Sequence, residues 1–145
     1  MLNTLATSLL LGTLSATTVN LDAVFDKVDP AVVTVKAATK ESQEAPELFE
    51  LRVGVSMGAG VLLHGEGFIV TAAHVVEGAT GVAVVFRDGT QVEASILSLS
   101  RSEDIALLKV AQVPKGVQPA NLGDSEQLKV GQVVFAIGTP LGLGH

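Results

Sequence analysis

The sequence predicts an all-β domain with a short N-terminal helix, and three observations carry that expectation. Six short apolar runs rich in Val, Ile and Leu precede residue 111; β-branched side chains suit a pleated, half-buried surface and crowd a helix. Gly-rich or Asp-Gly turns separate several of the runs, in the order of consecutive antiparallel hairpins. The composition agrees, since 48% of residues are hydrophobic but only 3% aromatic, with 15 Gly, so small aliphatic side chains must build the core. Six such strands fit a small closed barrel or a sandwich.

The chain has 145 residues. That length suits one domain able to bury roughly two thirds of its unfolded surface. Nine basic against fifteen acidic residues give a net charge of −6, with no basic patch and no interleaved aromatics. A nucleic-acid partner is therefore not expected, because phosphate binding needs a basic face. There is no cysteine, which removes disulfides, thiolate zinc sites and a Cys nucleophile.

Residues 1–19 stand apart as a signal or leader segment. Residues 5–16 form an apolar stretch softened by Thr, Ser and Gly, with no Lys or Arg before it. It is too short to span a bilayer and suits the core of an export signal, though the basic start is missing. A weakly apolar leading helix or an artificial chain end fits equally. Asn20 can then cap a helix in which Leu21, Val24, Phe25 and Val28 fall on one face, and Pro30 ends it.

Residues 31–36 read as the first strand, and residues 39–52, charged and containing Pro46, as a long loop. Residues 58–63 run into His64-Gly65-Glu66-Gly67 and then Phe68-Ile69-Val70-Thr71-Ala72-Ala73, a hairpin whose second strand delivers His74 at its end. Residues 82–86 and 92–97 flank an Asp88-Gly89 turn, and in the second of these Val92, Ala94 and Ile96 alternate with polar residues. Asp104 opens a sixth strand, Ile105 to Val110. Residues 114–119 are a loop, and residues 133–137 read as one further strand.

Two residues attract chemistry. A histidine exchanges protons near neutral pH, and one held where a strand meets a loop is both steady and reachable. Standing by itself, such a His is ordinarily a surface residue. Strand parity puts Asp104 on the face of Ala106 and Leu108, so its carboxylate should be partly desolvated and in need of a donor. An imidazole N–H is a suitable one. His64 falls in a turn and His145 is the last residue; three His without a local spacing do not suggest a metal site.

Together the two segments are more specific. Thr71-Ala72-Ala73-His74-Val75-Val76-Glu77-Gly78, followed thirty residues later (104 − 74) by Asp104-Ile105-Ala106-Leu107-Leu108, resembles the His and Asp segments of trypsin-like serine proteases of the HtrA/Deg branch. The likeness extends to Val28-Asp29-Pro30-Ala31-Val32-Val33, to Leu122-Gly123-Asp124-Ser125, and to Ala136-Ile137-Gly138-Thr139-Pro140-Leu141. Val75 stands where animal-type members usually carry Cys, in keeping with the bacterial branch.

The resemblance implies an antiparallel six-stranded barrel, the first of two in the trypsin-like fold. It divides the chain into a leader (1–19), an N-terminal barrel (20–130), and a linker with the first strand of a missing second barrel (131–145). It implies serine endopeptidase chemistry in which His74 is the general base and Asp104 its orienting acid, without metal or other cofactor. Substrates would be unfolded or misfolded polypeptides outside the cytoplasm, and the assembly a homo-oligomer, a trimer in the family. The nucleophile is not found, because none of the nine serines lies in the Gly-Asn-Ser-Gly-Gly form the family uses. Gly123-Asp124-Ser125 is followed by Glu126-Gln127, which lacks the glycine turn that exposes such a serine. A non-catalytic relative that serves as a binding or scaffold module is the alternative; the presence of both His74 and Asp104 favours the enzyme.

Overall fold

A computed structural model describes residues 21–42 and 51–139 of the chain. Six antiparallel strands close into a barrel in the order β1-β2-β3-β6-β5-β4. They are β1 (Val32–Ser42), β2 (Leu51–His64), β3 (Phe68–Thr71), β4 (Ala79–Val85), β5 (Gln91–Ser100) and β6 (Ile105–Val110). Consecutive hairpins supply most of the pairing, and the ladders β3–β6 and β1–β4 shut the cylinder. Closure satisfies both edges of the sheet, which decides between the barrel and sandwich expectations.

The inward side chains follow the alternation of the sequence. Val33, Val35 and Ala37 from β1, Leu62 from β2, Ile69 from β3, Val84 from β4, and Ala106, Leu108 and Val110 from β6 are buried together. Phe86, just past β4, joins them at 1% exposure. Small inward residues let the cylinder stay narrow. A Cβ on Gly58 would lie 2.5 Å from Cγ2 of Val75, so the missing side chain is the space Val75 occupies.

Several expectations need correction. The loop expected over 39–52 is shorter at both ends, because residues 39–42 pair with residues 51–54 as an extended β1–β2 ribbon. Backbone pairing outweighs the charged composition there. Ile96, expected inward, is 38% exposed, since the register of β5 against β6 shifts between Ile96 and Ser98 and breaks the alternation. Residues 133–137, expected as a strand, have no regular structure, and Val133 and Val134 are both 73% exposed. A β-branched run becomes a strand only when a neighbour takes its hydrogen bonds, and none does so among the described residues.

The helix α1 (Leu21–Val28) forms as expected, but Leu21, Val24 and Phe25 on its apolar face are 37–50% exposed. The Asn20 cap and the 1–19 leader lie outside the described residues, as does His145. After α1, a 3₁₀ turn at Asp29–Ala31 carries Pro30 and leads into β1. Asp29 is only 3% exposed, and Nη1 of Arg87 lies 2.8 Å from its Oδ2, tying this turn to the β4–β5 connection. The contact is a close ion pair without hydrogen-bond alignment. Beyond β6, Val113, Val117 and Ala120 pack against the core, and Ala120 donates its N–H to Leu62 O at 2.9 Å.

Candidate active site

His74 does not end a strand as expected. β3 stops at Thr71, whose hydroxyl donates to Ala59 O at 2.8 Å, and a one-turn helix α2 (Ala73–Val76) follows. Burial selects that helix over continued strand. Ala73, Val75 and Val76 are all buried against the barrel, while His74 alone of the four is exposed. One turn thus anchors three apolar side chains and presents the fourth residue outward. Glu77 closes the turn by donating its N–H to Ala73 O at 2.9 Å, and Gly78 leaves it with φ 69°.

Asp104 sits in the turn before β6. Its φ is 53°, the only positive value for a non-glycine residue among those described. The left-handed region is costly for side chains with a Cβ, and Asp is among the few that tolerate it. The expected parity holds further along, with Ala106, Leu108 and Val110 inward. Asp104 itself is not desolvated as expected: its side chain is 51% exposed, because the turn lifts it onto the barrel rim. What it gains is donors. His74 N–H donates to Oδ1 at 3.0 Å, and Nδ1 of His74 lies 2.7 Å from Oδ2. Ala73 N–H donates to the Asp104 backbone oxygen at 3.2 Å.

These donors set the protonation states. The backbone N–H of His74 first, and then its ring, hold the Asp104 carboxyl below the usual aspartate range, against a smaller opposing effect of burial. An ionised carboxylate only accepts hydrogen bonds, so Nδ1 of His74 carries the hydrogen between them. Nε2 is then the basic nitrogen, on a side chain 72% exposed and able to reach an incoming group.

The remaining candidates stay apart from this pair. His64, expected in a turn, instead ends β2 opposite Phe68; it is 64% exposed, and its Nδ1 accepts from Glu66 N–H at 3.2 Å. Gly123-Asp124-Ser125 is a capping motif. Asp124 accepts from Glu126 N–H and from Nε2 of Gln127, each at 3.0 Å, and Ser125 merely opens a 3₁₀ turn. Two residues next to the dyad went unassigned by sequence reasoning, Glu77 and Arg101. Nε of Arg101 contacts Oε1 of Glu77 at 2.5 Å. Their one legible signal is spacing, three residues after the His (77 − 74) and three before the Asp (104 − 101).

The chain is similar to known proteins in sequence and in fold. The pattern of the trypsin-like peptidase domain family matches residues 58–145. DegQ, the periplasmic pH-dependent serine endoprotease of Escherichia coli, is 31% identical over 140 residues, covering 87% of this chain and 30% of DegQ. A DegP-like protein of Halomonas elongata is 44% identical over 90 residues, 62% of this chain and 19% of that one. This chain therefore spans less than a third of either relative. Among solved structures, a variant of the HtrA-type protease AlgW with a decapeptide superposes with a TM-score of 0.79 at 26% identity, over 87% of this chain and 42% of its own. The chain belongs to the trypsin-like peptidase domain family, in its HtrA/Deg branch.

Proposed function

We propose that this chain supplies the general base and the orienting acid of a serine endopeptidase. The observation that carries the reading is the 2.7 Å contact between His74 Nδ1 and Asp104 Oδ2, doubled by the His74 N–H to Oδ1. A carboxylate held twice by the histidine it serves cannot swing away, and it fixes the tautomer that leaves Nε2 basic. The serine hydroxyl comes from residues outside these 145. Nε2 takes its proton as Oγ attacks the peptide carbonyl, and returns that proton to the leaving amine. Asp104 stays ionised and stabilises the imidazolium formed in between.

Substrates are polypeptides, unfolded or misfolded ones by the family resemblance, in keeping with the decapeptide in the AlgW structure. The periplasmic naming of DegQ supports an extracytoplasmic site of action. Assembly into trimers rests on the family resemblance alone.

The test is proteolysis of casein. The 145-residue chain is expected not to cleave it, having neither nucleophile nor oxyanion donors. A chain extended through its serine-bearing segment is expected to cleave, and Asp104→Asn should slow its turnover by about 10⁴. Turnover that survives His74→Ala in the extended chain would overturn the reading.

A further inference from the structure

We infer that Arg101 and Glu77 are positioning residues which staple the histidine-bearing turn to the aspartate-bearing turn. The inference rests on the reading of His74 and Asp104 as one functional pair, and it goes beyond that pair to what holds it together. α2 and the 101–104 turn belong to different hairpins, and neither is part of the closed ladder. The β3–β6 pairing brings the two segments side by side, and contacts between them fix how one sits against the other.

Those contacts form a ring. Ala73 N–H donates to Asp104 O at 3.2 Å, and His74 N–H to Asp104 Oδ1 at 3.0 Å, at the start of α2. Glu77 closes the far end of that turn through its N–H to Ala73 O. Its carboxylate reaches back to Nε of Arg101 at 2.5 Å. The carbonyl of Arg101 in turn accepts the N–H of Asp104 at 3.4 Å. Each end of the staple is thus bonded to the backbone of a dyad segment, Glu77 to that of Ala73 and Arg101 to that of Asp104. The 101–104 turn is braced on its other side, where Ser102 Oγ donates to Oε2 of Glu103 at 2.6 Å and Ser100 Oγ donates to the same oxygen.

The alternative, an ion pair of no consequence, has weight because exposed pairs contribute little to global stability. Arg101 is 76% and Glu77 44% exposed, so unfolding measurements should hardly notice either residue. A positioning role would instead appear as local opening of α2 from the turn.

The experiment is hydrogen exchange of the His74 amide by NMR, together with the low-field resonance of the His74 Nδ1 proton, in the 145-residue chain. Arg101→Ala and Glu77→Ala are each expected to speed exchange of the His74 amide about two- to fivefold, matching an exposed pair at the upper end of its range. Each should also broaden the Nδ1 proton signal. The charge-swapped double variant, Arg101→Glu with Glu77→Arg, should restore both, while thermal midpoints and exchange in β1 and β6 stay unchanged. Exchange at His74 unaffected by either single change, or a swap that fails to restore it, would overturn the staple. Proteolysis by the extended chain tests the protease reading separately, so the two can fail independently.

Discussion

Two turns flank β5, and both hold an aspartate whose carboxyl sits below its usual range, yet they are built for different ends. In the β4–β5 turn, Asp88 accepts the N–H of Thr90 at 2.8 Å, two residues on, and Gly89 takes the positive φ of 82°. The left-handed step falls on the residue that bears it most easily, and the carboxylate serves its own loop. In the β5–β6 turn the aspartate itself takes the positive φ, and its carboxylate is engaged by a residue thirty positions away. Backbone in a disfavoured region at a long-range contact is a recurring mark of functional sites. Similar local chemistry thus yields a self-contained turn on one side of the strand and an outward-reaching one on the other.

The largest expected contrast between the turns is catalytic. In an extended, serine-bearing chain Asp104→Asn should lower turnover by about 10⁴ while Asp88→Asn leaves it unchanged, as followed by casein hydrolysis. A comparable loss from both would mean that turn integrity, not the dyad, limits the rate.

Next in size is the cost of handedness. Gly89→Ala places a Cβ where nothing lies within 4 Å, so only the positive φ opposes it. Denaturant unfolding should show a loss of about 1–2 kcal/mol. At the other turn, Asp104→Gly should be more stable than Asp104→Ala, since both lose the carboxylate and only glycine relaxes the backbone. The reverse order would show that Asp104 is not strained.

The smallest effect is on acid stability. Both carboxyls are held below the value they take when unfolded, by His74 at Asp104 and by Thr90 at Asp88. Their contribution is therefore complete above the unfolded value of about 3.9 and is lost as pH falls through the lower folded values. Thermal midpoints followed into acid should drop less steeply for Asp104→Asn and for Asp88→Asn than for the parent chain.

Much of this was legible in advance. Every barrel strand overlaps an apolar run, because alternation and turn residues are written locally. His74 and Asp104 are placed together by the β3–β6 pairing, Phe68 with Lys109 through Thr71 with Ala106, which brings the ends of the two runs side by side. What was not legible depends on partners distant in sequence. Ala73-His74-Val75-Val76 satisfies strand and helix patterns alike, and burial of Ala73, Val75 and Val76 against the barrel, with Val75 in the space over Gly58, decides for the helix. Residues 133–137 have every local property of a strand and find no pairing partner among the described residues. The exposure of Asp104 follows from a dihedral angle that no spacing rule reports.

The pairing at the centre of this account is tested most directly by the titration of Asp104 and Asp88 carboxyl carbons in one NMR experiment, on the parent chain and on His74→Ala. In the parent both midpoints should fall below the ordinary aspartate value. In His74→Ala the Asp104 midpoint should rise, though not fully, because the backbone N–H at position 74 still donates to Oδ1, and the Asp88 midpoint should not move. An Asp104 midpoint indifferent to the loss of the imidazole would contradict the pairing of His74 with Asp104.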